Sequence, residues 1–355
     1  MAEGRKRIMY LDYLRIMAAF CVILIHVSAK PLLTFSGLNS GWVSLAVYDA
    51  IGQCAVIIFF MISGVLFLDK KKKIDIKSFY TRYIPPLVIS FVVWSLVYSF
   101  VNGNYQKGLY TFAKAFIKGE YHMWYIPRLV GVYMIVPLLK KIVESKTLTR
   151  YFLVLFAIFT VGIPTVKSLL ETFPFRGSAS VLKLLSDAVS SVSLNMVVGY
   201  GGFMVLGHFL HTVSIKKQTA GVIYFLGVLG LFFTIGSTLY LSERDNMLCA
   251  VFMDRKAIGV CLWAVSVFVL FKQRFKNKTC GEKLQKRVVL VSDCTYGVYL
   301  IHPLSIVAFS NFLGIDGTFI HPVLGVPLVC VGVFVLSLAV TFVLKQIPFV
   351  KKYIV

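Results

Sequence analysis

The chain has 355 residues, 58% of them hydrophobic, with a mean hydropathy of +0.81, a composition that excludes both a disordered segment and an ordinary soluble domain. Lys and Arg outnumber Asp and Glu by 37 to 15, giving a net charge of +22, but the excess is spread among short loops between apolar runs, which sets aside nucleic-acid binding. The seven cysteines are scattered without a CxxC pair, so neither a disulfide framework nor a zinc site is indicated.

Apolar runs of about 20 residues, the length a bilayer core requires, recur from end to end. They predict an all-α polytopic membrane protein of about ten transmembrane helices, at 8–29, 47–68, 82–101, 121–140, 151–166, 193–210, 219–241, 257–271, 288–312 and 322–344. Numbering the loops alternately puts Arg5, Lys6 and Arg7, "DKKKKIDIKSFYTR", "KQRFKNKTCGEKLQKR" and the tail on one side, together with most of the Lys and Arg. By the positive-inside rule that side is the cytoplasm and both termini lie there, with the basic loops against anionic lipid of the cell membrane. No hydrophilic stretch is long enough for a soluble domain, so 1–355 is read as a single membrane domain.

The first run, "LDYLRIMAAFCVILIHVS", carries Asp12, Arg15 and His26. Val27-Ser28-Ala29 loosely resembles a signal cleavage site, but Asp12 and Arg15 interrupt the apolar region, and the segment is read as a permanent helix. At about 100° and 1.5 Å per residue, Arg15 and His26 fall within about 20° of one face and roughly 16 Å apart. Asp12 joins that face and is spaced for an i,i+3 ion pair with Arg15. A stripe of charge needs partners or a wet cavity, so this helix is expected to line a polar interior. The alternative is that Asp12 and Arg15 reach to the headgroups while His26 only caps the other end.

In the second run, "FFMISGVLFL" offers Ser63 and Gly64, a small pair suited to close helix packing or to the approach of a ligand, packing being favoured. Between the third and fourth runs, 104–120 places Leu109, Phe112, Ala113 and Phe116 opposite Lys114 and Lys118, as an external interfacial helix would. "YHMWYIPRLVGVYMIVPLLKK" then supplies His122, Trp124 and Tyr125, with Arg128 a turn further in beside Pro127. An aromatic belt explains Trp124 and Tyr125 but not Arg128, which is read as holding an anionic group. His208 and His211 are spaced to share a metal, but lack a third ligand and are read as interfacial. The ninth run, "SDCTYGVYLIHPL", sets Ser292, Thr295, Tyr299 and His302 down one face, and Pro303 frees the carbonyl of Tyr299. For His302 a role in helix–helix hydrogen bonding stands beside a functional one.

At these residues the sequence resembles the membrane acyltransferase-3 family, integral-membrane O-acyltransferases of surface polysaccharides. The resemblance is carried by the Arg and His of "LDYLRIMAAFCVILIH", by "FFMISG", by "HMWYIP" with its following Tyr and Pro, and by "TYGVYLIHP", in that order along nearly the whole chain. It looks most like the stand-alone branch, without the C-terminal hydrolase-like domain of some relatives, so a separate extracytoplasmic transferase partner is one expectation.

What the resemblance implies is transfer of an acyl group, taken here as acetyl, from cytoplasmic acyl-CoA to a hydroxyl of a surface glycan or lipid-linked sugar, with no metal. Arg15 and His26 match the family's functional pair. Apart from the resemblance, the helix faces lead us to expect Asp12, Tyr299 and His302 to support them, and Ser63, His122, Trp124 and Arg128 to meet substrate. The CoA phosphates are placed near Arg15 and Lys70–Lys73 or Arg82. His26 then either deprotonates the acceptor or carries the acyl group. The competing reading is a transporter of a small solute such as an amino acid, whose permeation path the same stripes would line.

Overall fold

The structure, a computed structural model, describes residues 7–70, 74–192, 199–276 and 281–355, with the backbone alone over 189–192. Arg5, Lys6, Lys71–Lys73 and the first third of the sixth expected span lie outside the described residues. Every regular element described is helical: α1 (Met9–Leu32), α2 (Ser40–Gly52), α3 (Cys54–Phe67), α4 (Ile76–Val101), α5 (Leu109–Lys118), α6 (Tyr125–Met134), α7 (Val136–Glu144), α8 (Lys146–Phe156), α9 (Ile163–Thr172), α10 (Ser178–Val192), α11 (Gly201–Thr212), α12 (Lys217–Asp245), α13 (Ile258–Phe275), α14 (Glu282–Leu313), α15 (Pro322–Leu344) and α16 (Pro348–Tyr353).

Among the described residues, eight helical stretches are long and apolar enough to cross a bilayer. α2 and α3 form one of them, and α8 and α9 another, joined by the π-helical turn Ala157–Gly162. The two other expected spans are shorter. The 121–140 run is split at Ile135 into α6 and α7, because Pro137 in the first turn of α7 has no N–H to continue the ladder. The 193–210 run is described only from Gly199 onward, as α11 and the two residues before it.

Contacts at the helix ends fix the alternation. Tyr10 of α1 meets His211 of α11, Tyr13 stacks on Phe275 of α13, and Lys70 Nζ donates to the carbonyl of Glu144 at 3.0 Å. Lys345 donates to the carbonyl of Asp293, bringing the end of α15 alongside the first half of α14. These positions mark one basic end of the bundle; α5 and the α1–α2 and α14–α15 connections mark the far end.

α1 runs through the centre, with Leu14, Ala18 and Ile23 fully buried. Beside it α3 and α11 cross so closely that a Cβ on Gly64 would overlap the Met204 backbone, and one on Gly207 the Met61 backbone. Hydrocarbon gives no hydrophobic drive between helices, so small residues that admit backbone contact do the packing. Gly64 therefore packs, while its neighbour Ser63 faces a cavity.

Candidate active site

At the basic end, the Asp12 carboxylate is 1% exposed and surrounded by donors. Arg7 grips it with Nε to Oδ2 and Nη2 to Oδ1, both at 2.9 Å, Ser292 donates from α14 at 2.7 Å, and Arg15 donates from one turn on at 3.2 Å. The i,i+3 contact between Asp12 and Arg15 is formed, but Arg7 is the better-aligned partner. Its guanidinium, outside the span, is pushed above its ordinary range chiefly by the hydrogen bond to Asp12.

Arg15, with one nitrogen so engaged, lines a cavity of about 380 Å³ together with Ser63, Arg82, Tyr133, Tyr299 and Lys352. Ser63 Oγ and the Tyr133 hydroxyl approach to 3.5 Å. One wall is the segment after α16, held by Ser90 Oγ and Trp94 Nε1, which donate to the Ile354 carbonyl at 3.1 and 3.2 Å.

Toward the far end the helices bring three histidines together. His302 is fully buried, and its Nδ1 lies 2.7 Å from the Tyr299 carbonyl. A carbonyl only accepts, so Nδ1 carries the proton and Nε2 keeps its lone pair. Tyr299 O is the acceptor that residue 303 would fill in an unbroken helix; Pro303 has no N–H, and the preceding side chain fills it instead. His302 Nε2 is buried with no hydrogen-bond partner. The His26 ring stacks on that of His302 at 5.1 Å and meets Tyr121 edge-on at 5.0 Å. His122 sits 5.2 Å from His302, buried, with neither ring nitrogen bonded. Tyr299 donates to the His122 carbonyl at 2.7 Å, fixing the backbone of that turn.

His26 opens on a second cavity of about 810 Å³ at the far end. Tyr299 lines the first cavity and His26 the second, and His302 lies between them, its ring 6.2 Å from Tyr299 and 5.1 Å from His26. The Arg15–His26 stripe of α1 thus touches both cavities, with a histidine–tyrosine partition at the boundary.

Trp124 also lines the far cavity. Arg128 is exposed, stacks on the Trp124 ring at 4.5 Å and donates to the Trp124 carbonyl at 3.2 Å, and it lines neither cavity. Asp12 is likewise outside both cavities, and positions Arg15. At the basic end, His211 Nδ1 lies 2.6 Å from the Tyr10 hydroxyl.

Several polar residues of the far cavity escape a reading of the sequence, among them Asp49, Gln53 and Arg255. Asp49 was visible as an acid inside an apolar run, the same signal that singled out Asp12. Arg255 reads as an ordinary loop charge, and only the fold carries it to Trp124, 4.4 Å from the ring centre.

Compared with known families, residues 8–343 match the acyltransferase-3 model, described as an acyltransferase domain. No curated protein and no solved structure matches the chain.

Proposed function

The chain belongs to the acyltransferase-3 family, and from that membership we propose that it moves an acetyl group from cytoplasmic acyl-CoA to a hydroxyl of a surface glycan or lipid-linked sugar. The observation that carries this reading is the pair of cavities lined by Tyr299 and by His26, with His302 packed against both rings, one cavity with a cationic lining and the other with one carboxylate more than its cations.

On this reading the basic end, with both termini, faces the cytoplasm, as the positive-inside distribution favours. CoA enters the smaller cavity, its phosphates near Arg15, Arg82 and Lys352, and its thioester reaches the partition. Arg15 suits that task because a guanidinium pairs with phosphate through two parallel hydrogen bonds. The acceptor occupies the far cavity. His26 takes the proton of its hydroxyl as the oxygen attacks the thioester carbonyl; the C–S bond breaks, and the imidazolium returns the proton to the CoA thiolate. His302, its Nδ1–H held by the Tyr299 carbonyl, keeps its Nε2 lone pair in a ring stacked on that of His26. α5, with Leu109 and Ile117 exposed, lies along the outer membrane surface.

The test uses protein reconstituted in vesicles with labelled acetyl-CoA. His26→Ala should lose acyl transfer by 10²-fold or more while still inserting and binding CoA. CoA should bind only from the face bearing the basic loops, and more weakly as salt rises. Near-normal turnover in His26→Ala removes His26 from the chemistry. Saturable uptake of a small solute without CoA binding overturns the acyltransferase assignment in favour of a transporter.

A further inference from the structure

Among the polar residues of the far cavity that the transfer step leaves unused, two carry buried atoms without a hydrogen-bond partner. Asp49, on α2, is 5% exposed. Its Oδ2 accepts from Gln53 Nε2 at 2.9 Å, while its Oδ1 is buried with no partner. Arg255, just before α13, has a buried Nε with no partner. Its guanidinium lies 4.4 Å from the centre of the Trp124 ring, a cation–π contact that keeps it beside that ring. All of these residues line the cavity that His26 lines.

Buried polar atoms without partners are costly, and each asks for a compensating group. Neither orphan satisfies the other: Asp49 Oδ1 and Arg255 Nε remain unbonded although both groups face one space. A ligand that quiets both must donate to a carboxylate and accept from a guanidinium. A hydroxyl does both, and two adjacent hydroxyls do both at once. The charged residues lining the cavity are Lys30 and Arg255 against Asp49, Glu120 and Asp316, which gives no cationic excess to hold a phosphate or a carboxylate. The volume of about 810 Å³ lies within the range of roughly 300–1,000 Å³ usual for ligand sites.

We infer that Asp49 and Arg255 form an acceptor-orienting subsite, which grips two neighbouring hydroxyls of an uncharged sugar ring beside Trp124 so that a third hydroxyl meets His26. This rests on the glycan-acceptor reading above and assigns it residues. Asp49 and Arg255 are specificity-determining here, and His26 performs the proton transfer.

The experiment uses the full chain in vesicles, labelled acetyl-CoA, and a panel of methyl hexopyranosides with their single-deoxy analogues. Wild type should reject one deoxy analogue by about tenfold or more in kcat/KM, because its removal leaves a buried partner bare. In Asp49→Asn that discrimination should vanish, the parent glycoside falling toward the deoxy analogue. Arg255→Lys, which keeps the charge but loses the fork, should flatten a neighbouring position. CoA binding checks that each variant is folded, and if Asp49→Asn is not, Arg255→Lys makes the same comparison. Discrimination that persists in the folded variants overturns the subsite. If wild type acylates none of the glycosides while turning over acetyl-CoA with a glycerolipid acceptor, the glycan reading itself fails and takes the subsite with it.

Discussion

Replacing Asp12 with Asn tests whether the charged stripe of α1 is buried structure or a set of side chains reaching for the headgroups. The carboxylate receives four hydrogen bonds, two from Arg7, one from Arg15 and one from Ser292. Hydrogen bonds to a charged group contribute about 1.5–3 kcal/mol each, and removing one partner of a buried ion pair costs about 3–5 kcal/mol. Two features reduce that figure. Arg7 is 34% exposed and keeps Asp293, to which Nη2 donates at 2.7 Å. Arg15 is 25% exposed and faces the smaller cavity. The amide also retains one acceptor for Ser292, and the desolvation cost of the carboxylate disappears. A loss of about 2–4 kcal/mol follows. Denaturant unfolding of purified protein in detergent measures it, and CoA affinity read in parallel should fall by about tenfold as Arg15 loses its orientation, equivalent to about 1.4 kcal/mol. A change below about 0.5 kcal/mol in Asp12→Asn would show that both guanidiniums are already solvated, and would refute the buried network.

Gly64→Ala places a methyl group on the Met204 backbone, which no rotamer change relieves, so it should destabilise by about 3 kcal/mol or more, read as loss of the monodisperse peak in size-exclusion chromatography. His302→Asn keeps a donor for the Tyr299 carbonyl but removes Nε2; kcat should fall by about 10²–10⁴-fold with stability changed by less than about 1 kcal/mol, and an equal loss of both would make His302 purely structural.

Eight of the ten expected spans were legible because each needs about 20 apolar residues in sequence, a local property that no tertiary contact has to supply. The Asp12–Arg15–His26 stripe was legible for the same reason, since helical periodicity alone aligns it. Where two distant segments complete each other, the signal is lost. Gly64 is one small residue among many until the Met204 backbone is laid against it, and Arg255 is a loop charge until Trp124 lies beneath it. The break between α6 and α7 was readable from Pro137, yet hydropathy averaged it away. Arg7 was counted as a topogenic charge, but it is the main partner of Asp12, because an arginine just outside a span is long enough to turn back into it. At Pro303 the freed carbonyl was predictable from the sequence. That the adjacent imidazole would fill it depends on a rotamer the sequence does not display.

That last contact joins a structural device to the chemistry. An interior proline leaves one helix carbonyl without its donor, and in a membrane-spanning segment no water is on hand to replace it. Here His302 supplies the donor, and in doing so commits Nδ1 to the proton and Nε2 to the lone pair, in a ring stacked on that of His26. If the proline serves to fix the tautomer, Pro303→Ala should separate stability from activity. Alanine restores an N–H aimed at the Tyr299 carbonyl and removes the proline penalty of about 3 kcal/mol, of which the existing histidine bond already recovers a part, leaving a gain of about 1–2 kcal/mol. A carbonyl has two lone pairs, so the new donor weakens the His302 bond without abolishing it, and the ring then samples both tautomers. The expected variant is more stable than wild type in denaturant yet about three- to tenfold slower in acyl transfer, with CoA affinity unchanged, since the smaller cavity is untouched. A variant that gains stability and keeps full activity would show that the proline bends the helix and nothing more. One that loses both would place Pro303 in the packing of α14 and leave the tautomer of His302 irrelevant to the rate.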